Sequence, residues 1–247
     1  MAEVVLNRSQ ARNALSTHLA GRIAAACAEL ATDHSLRAVV LSSADPRAFC
    51  VGADLKERAA MRDRDFMAQR LVFRRMFDAV RELPVPTVAA VRGWALGGGM
   101  ELMLCCDLVV AAEDAVVGVP EVTLGIVPGG GATQLLAKRI GYGKAADLLF
   151  TGRKVPATEA ERLGLVDRLV PADDVRAQAL ELAERIAANS PVAVRNARNA
   201  LRRSLDVDLA AGLDIEDSAW RAAVFSDDRA EGVAAFVERR PAQWPGH

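Results

Sequence analysis

The sequence predicts an α/β fold made of a coil of repeated ββα units, followed by an all-helical C-terminal region. Three observations carry this. Short apolar runs rich in Val and Ala alternate with loops and helix-period segments as far as Val170. Several short strands precede each helix, which argues against a plain doubly wound sheet. From about Pro171 onward, Ala, Leu, Arg and Glu dominate and no strand pattern recurs. The expected division is a core over residues 1–185 and a helical oligomerisation region over residues 186–247.

The elements follow in order. Residues 3–7 (EVVLN) read as a strand, and Asn7 to Asn13 is polar and turn-like. Leu19, Ile23, Cys27 and Leu30 recur at helical spacing, with Ser16 suited to cap the helix start. Ala38 to Leu41 is a buried strand that ends in a loop from Ser42 to Arg47. A helix over Asp65 to Arg81 stops before Pro84 and Pro86. Thr87 to Val91 is a strand that opens into Leu96-Gly97-Gly98-Gly99, and Met100 to Cys106 resumes as helix. Leu108 to Ala111 and Ala115 to Gly118 read as strands. The glycine-rich loop 128–131 leads into a helix ending near Ile140. The tail breaks at Asn189-Ser190-Pro191, near Asp206, and at Ser226-Asp227-Asp228. Its exposed Leu, Val and Trp positions predict an oligomer.

Composition narrows the function. Thirty-one basic residues against 32 acidic ones leave a formal charge of −1, which favours neither nucleic acid nor an anionic membrane. The three histidines are scattered and the four cysteines show no CxxC spacing, so no metal site is expected and the thiols read as buried and reduced. No apolar run reaches the ~18 residues of a membrane span. The N-terminus shows no charged segment leading into an apolar one. A cytoplasmic protein is the expectation.

Three glycine-containing segments stand out: Phe49-Cys50-Val51-Gly52-Ala53-Asp54-Leu55-Lys56, Ala95-Leu96-Gly97-Gly98-Gly99-Met100-Glu101, and Pro120 to Gly131. Each could be only a turn. The triplet Gly97–Gly99 fits neither a dinucleotide fingerprint nor a P-loop. At a helix start, however, its free amides and the helix dipole favour negative charge, which describes half of an oxyanion hole. Gly52-Ala53 is a candidate for the other half. Two carboxylates accompany these loops. Glu101 could simply complement the helix dipole at the surface. Glu121 lies between Val119 and Val122, where a solvated surface carboxylate is hard to explain. A buried glutamate with a raised pKa is a workable general acid or base.

Taken together and in order, these blocks resemble the signature segments of the crotonase (enoyl-CoA hydratase/isomerase) superfamily. FCVGADLKER and ALGGGMELMLCCDL resemble its two oxyanion blocks, PEVTLGIVPGGGATQLL its second glutamate block, and FSDDRAEGVAAFVERR its closing segment. The resemblance implies a crotonase-like spiral of ββα units with a helical trimerisation region. It implies that the amides of Ala53 and Gly98 hold a thioester oxygen, and that Glu101 and Glu121 position and activate water. Gly129 would lie near that water. Arg47, Asp54, Leu55, Lys56 and Gly97 would lie near the CoA portion, and Arg239 would reach a neighbouring subunit's CoA. Gln10, Ala132 and Leu135 depart from the family pattern. Met61, Phe66, Met67, Leu71, Phe73, Trp94 and Trp220 are candidates for the acyl pocket.

The resemblance further implies an acyl-CoA substrate, no separate cofactor (coenzyme A is part of the substrate), and a homotrimer or homohexamer. Hydration needs water between two carboxylates, so the pair favours a hydratase over an isomerase, which is the alternative. The look is closest to the methylglutaconyl-CoA hydratase branch. Some relatives there bind RNA through a lysine-rich first helix, whereas the matching helix here offers only Arg22 as a fixed positive charge, so no nucleic-acid partner is expected.

Overall fold

The computed structural model describes all 247 residues. Its strands form two sheets. The first comprises β1 (Ala2–Leu6), β2 (Val39–Ser43), β4 (Thr87–Val91), β6 (Leu108–Ala112) and β9 (Arg168–Val170), parallel throughout in that order. The second comprises β3 (Ala48–Cys50), β5 (Trp94–Leu96), β7 (Val116–Gly118) and β8 (Lys154–Pro156), with only the β7–β8 pair antiparallel. Each turn of the chain leaves one strand in each sheet: β2 then β3, β4 then β5, β6 then β7. This is the expected ββα spiral. The five-stranded sheet is covered on both faces, so β2, β4 and β6 are nearly continuous apolar runs, each buried along most of its length.

Eleven helices complete the chain: α1 (Thr17–Ala31), α2 (Leu55–Ala59), α3 (Asp63–Arg81), α4 (Gly98–Cys105), α5 (Ala132–Ile140), α6 (Tyr142–Thr151), α7 (Ala157–Leu163), α8 (Val175–Ala187), α9 (Pro191–Arg203), α10 (Leu209–Val224) and α11 (Asp227–Glu238). Three single turns of 3₁₀ helix lie at Ser9–Ala11, Pro120–Leu124 and Ser204–Asp206. The Ser16 hydroxyl accepts from the Leu19 amide at 3.2 Å and caps α1 as its sequence position predicts. No helix is long and apolar enough to cross a membrane.

Helix α4 is the axis of the site, and every residue from Gly99 to Cys105 is buried. It approaches β3 so closely that a Cβ on Gly99 would overlap the carbonyl oxygen of Cys50. Only glycine fits there, because the obstacle is backbone rather than a movable side chain. Gly99→Ala should therefore cost about 2 kcal/mol or more, read as a lower denaturation midpoint with an unchanged m-value. An alanine variant as stable as wild type would refute this packing.

The tail behaves differently from the core. Helix α8 packs on β2, β4 and β6, whereas α9, α10 and α11 pack mainly on one another. Helix α9 is tied to the core by two arginines. Arg198 Nε and Arg202 Nε donate to the two carboxylate oxygens of Asp107 at 2.8 and 2.7 Å. Both guanidinium groups also donate to the Arg81 carbonyl. Helix α10 buries no residue at all, and Leu209, Leu213, Trp220, Phe225 and Phe236 are exposed.

Candidate active site

The three glycine segments, far apart in sequence, meet around one cavity of about 330 Å³. It is lined by Val51, Gly52, Ala53, Gly97 and Gly98, by Phe66, Arg70, Phe73 and Phe77 of α3, and by residues of the loop from Leu124 to Gly130. Glu101 and Glu121 both line it.

The two candidate amides arise from different local causes. The amide of Leu15 donates to the Gly52 carbonyl at 2.7 Å, and the Asp54 amide donates to the Leu15 carbonyl at 2.9 Å. In such a parallel bridge the intervening residue, Ala53, turns its own N–H to the opposite side. Gly98 opens α4, so its N–H has no intrahelical acceptor. The two loops are in contact: a Cβ on Gly52 would lie 3.3 Å from the Gly98 nitrogen. Gly97 carries a φ of +52°, and a Cβ there would stand 2.8 Å from Glu121 Oε1. A side chain at Gly97 would be strained and would displace a carboxylate at the same time.

The glutamates differ in their surroundings. Glu101, on the first turn of α4, is 3% exposed. Its Oε1 accepts from the amides of Gly130 and Ala132 at 2.6 and 3.1 Å, while Oε2 has no protein partner. Burial raises its pKa, and the loop amides and Arg70 oppose that shift. Glu121 sits on the 3₁₀ turn after Val119. Burial pushes its pKa up to about 7, and the neighbouring charge of Glu101 adds to the effect. Its Oε2 is buried without any hydrogen-bond partner, which suits a neutral acid better than an anion. The two carboxyl groups are therefore inequivalent: one is held by backbone donors that favour its anion, the other is poised to carry a proton near neutrality.

The remaining expected residues are distributed more widely. Gly129 and Leu55 line the cavity, and the residue that bonds Glu101 is its neighbour Gly130. Ala132, a departure from the family pattern, still supplies its backbone amide to Glu101. Asp54 lies behind the cavity wall. It caps α2 through the amides of Lys56 and Glu57 and pairs with Arg8 at 2.7 Å. Arg47 is engaged by Asp45 and the Ser9 carbonyl. Lys56 is exposed and forms no ion pair, and Arg239 ends α11 in the left-handed region, away from the cavity. Of the acyl-pocket candidates, Phe66 and Phe73 line the cavity and Met61, Met67 and Leu71 do not. Trp94 instead stacks under Lys154 at 4.7 Å, and Trp220 lies on the tail. Sequence reading missed Phe77, Arg58 and Arg70 in the cavity wall. A helix-period stripe identifies the face of α3 that packs inward, but not which of its residues border a void.

Known proteins of one family resemble this chain along its whole length. The sequence profile of the enoyl-CoA hydratase/isomerase family matches residues 1–247. The mouse mitochondrial enoyl-CoA hydratase domain-containing protein 2 is 40% identical, with 100% of this chain and 84% of that protein covered. The mouse mitochondrial methylglutaconyl-CoA hydratase is 39% identical, with 98% of this chain and 78% of that protein covered. A 1.8 Å crystal structure of an enoyl-CoA hydratase from Bacillus anthracis superposes with a TM-score of 0.97 at 41% identity, covering 99% of this chain and 95% of that one. A match that runs from the first strand to the helical tail, at this level of identity, means that the chain belongs to the enoyl-CoA hydratase/isomerase family of the crotonase superfamily.

Proposed function

We propose that the protein adds water across the 2,3-double bond of an enoyl-CoA thioester. The observation that carries this is the pair of inequivalent buried glutamates beside two free backbone amides. In this reading the thioester carbonyl oxygen accepts hydrogen bonds from the Ala53 and Gly98 amides. Water held between the glutamates attacks C3, and Glu101 takes the proton the water loses. Electron density moves from the double bond onto the thioester oxygen, where the two amides stabilise the enolate. Glu121 gives its proton to C2, which completes the 3-hydroxyacyl product. Exchange with water then returns the proton from Glu101 to Glu121.

The alternative, double-bond isomerisation, needs one carboxylate to move a proton between carbons. The fixed anchoring of Glu101 Oε1 by two amides, with Oε2 left open, favours a second carboxylate dedicated to water. Coenzyme A belongs to the substrate in this scheme, and Lys56, exposed beside the cavity residue Leu55, is suited to its phosphates. Purified protein should consume crotonyl-CoA, followed as loss of enoyl-thioester absorbance. No turnover of crotonyl-CoA or of branched enoyl-CoAs, together with turnover of 3-enoyl-CoAs, would replace hydration by isomerisation.

The exposed apolar positions on α10 and α11 support a homotrimer or homohexamer, with Arg239 of one copy near the CoA of another. Light scattering should return three or six times the 26.3 kDa of one chain, and a monomeric mass would remove that assembly. The four buried, unpaired thiols suit a reducing compartment such as the cytoplasm.

A further inference from the structure

We propose that Gln69 is the positioning residue for the Ala53 amide, because it locks the start of α1 to α2, the two segments that aim that N–H into the cavity. The inference deepens the hydratase reading and rests on it for the role of the amide as a donor to the thioester oxygen.

The direction of the Ala53 N–H is not fixed by its own loop. It depends on Leu15, whose amide and carbonyl bond the Gly52 carbonyl and the Asp54 amide on either side of Ala53. This bridge is one residue long and belongs to no strand. Two hydrogen bonds alone leave such a bridge free to tilt, so its alignment depends on what holds the flanking residues. Leu15 lies two residues before α1, and Ala53 lies two residues before α2. The starts of these helices must therefore be fixed relative to one another. Gly98, the other donor, needs no such link, since it opens a helix that is buried from Gly99 to Cys105.

Gln69 of α3 supplies the connection. Its Nε2 donates to Thr17 Oγ1 at 2.9 Å and to Glu57 Oε2 at 3.1 Å, and its Oε1 accepts from Arg58 Nε at 2.9 Å. One side-chain amide thus bonds the first residue of α1 and two residues of α2, with both of its N–H groups engaged. Glu57 Oε2 also accepts from the Thr17 amide at 2.9 Å, which places a carboxylate at the free N-terminal donors of α1.

Gln69 is 2% exposed, and the other buried residues of α3 are Phe73, Met76, Phe77 and Val80. A polar group in that company is costly to bury unless it is fully bonded. A leucine would fill the space without that cost, so the amide is there for its links. Gln69 itself does not border the cavity, although Phe66, Arg70 and Phe73 of the same helix do. It can act on the reaction only through the residues it holds.

The test uses butyryl-CoA with an isotope label at the thioester carbonyl. It has no double bond to hydrate, and infrared difference spectra of its complex isolate the C=O stretch. In wild type the two amides should lower that stretch relative to free butyryl-CoA. Gln69→Leu should lose about half of the lowering, the share of one of two donors, and should reduce kcat for crotonyl-CoA by about 10-fold or more with KM within about threefold. Gln69→Glu sets a second carboxylate against Glu57 and should do the same. Adding Glu57→Gln restores one amide facing one carboxylate and should recover most of the band shift and of kcat. A merely structural role would lower the denaturation midpoint of these variants without moving the band of the folded protein. A wild-type band in folded Gln69→Leu, or a double variant no better than Gln69→Glu, would overturn the proposal. Where Gln69→Leu does not fold, Thr17→Val cuts the same link at its half-buried end. It should lose part of the lowering, and a wild-type band there overturns the proposal too. No lowering in wild type would overturn it together with the oxyanion role of Ala53. A lowered band in a protein that turns over no enoyl-CoA would remove hydration alone, and loss of that band shift in Gln69→Leu would still support the positioning role.

Discussion

Glu121→Gln should lower kcat for enoyl-CoA hydration by about 1,000-fold, and Glu101→Gln by at least about 100-fold, within the range for loss of a positioned acid or base. Both replacements are isosteric, so the cavity keeps its shape. Glutamine at position 121 has no proton acidic enough to deliver to C2. At position 101 the amide oxygen can still accept from Gly130 and Ala132, but the group facing the water becomes an NH₂, which cannot take a proton. Neither change touches the Ala53 and Gly98 amides, so KM should move only a few-fold. The same assignment fixes the sense of the pH profile. Activity should fall as pH rises through about 7, where Glu121 loses its proton. It should also fall at low pH as Glu101 gains one, above the usual carboxylate range because burial raises its pKa. Steady-state kinetics with crotonyl-CoA test both points. If either variant keeps kcat within about tenfold of wild type, that glutamate is not the acid or base assigned here.

Much of this architecture was legible because one physical rule dominates each segment. Buried parallel strands must be apolar on both faces, so β2, β4 and β6 were readable as runs. Strands β3, β5 and β8 were not, because three residues such as Trp94–Leu96 carry too little pattern to separate from a loop. Helices α2, α6 and α7 were missed for a related reason: they are short or directly follow Gly141 and Pro156, residues that equally mark turns. The glutamates and glycines of the site were legible through their conflict with local expectation, a charge in an apolar stretch and a triplet where a helix must start. Arg58 and Arg70 raised no such conflict. On a highly charged helical face an arginine looks solvated, and only the buried Gln69 behind Arg58 reveals that it is held. Asp54 is a different case: it lies within the signature block, one residue before a helix start, and its carboxylate caps α2 and pairs with Arg8.

Glu121→Gln should also make the protein more stable, and by an amount that depends on pH. The carboxyl group titrates near 4.5 in an unfolded chain and at about 7 in the folded one. Between those values the unfolded state releases a proton that the folded state retains, so wild-type stability declines as pH rises from about 4.5 to 7 and the loss is constant above. The full loss is about 3 kcal/mol, the cost of ionising a carboxyl group that is shielded from water and close to Glu101. Glutamine carries no such cost. Relative to wild type, the variant should gain under about 1 kcal/mol at pH 5 and up to about 3 kcal/mol at pH 8. Titrating groups other than the neighbouring Glu101 contribute equally to both proteins and cancel in the difference. Denaturant unfolding of the two proteins at each pH measures this directly, with Tm shifts as a second readout. A difference that is the same at pH 5 and pH 8 would mean that Glu121 titrates normally in the fold. It would then be ionised throughout the neutral range and could not hold the proton that the C2 carbon requires.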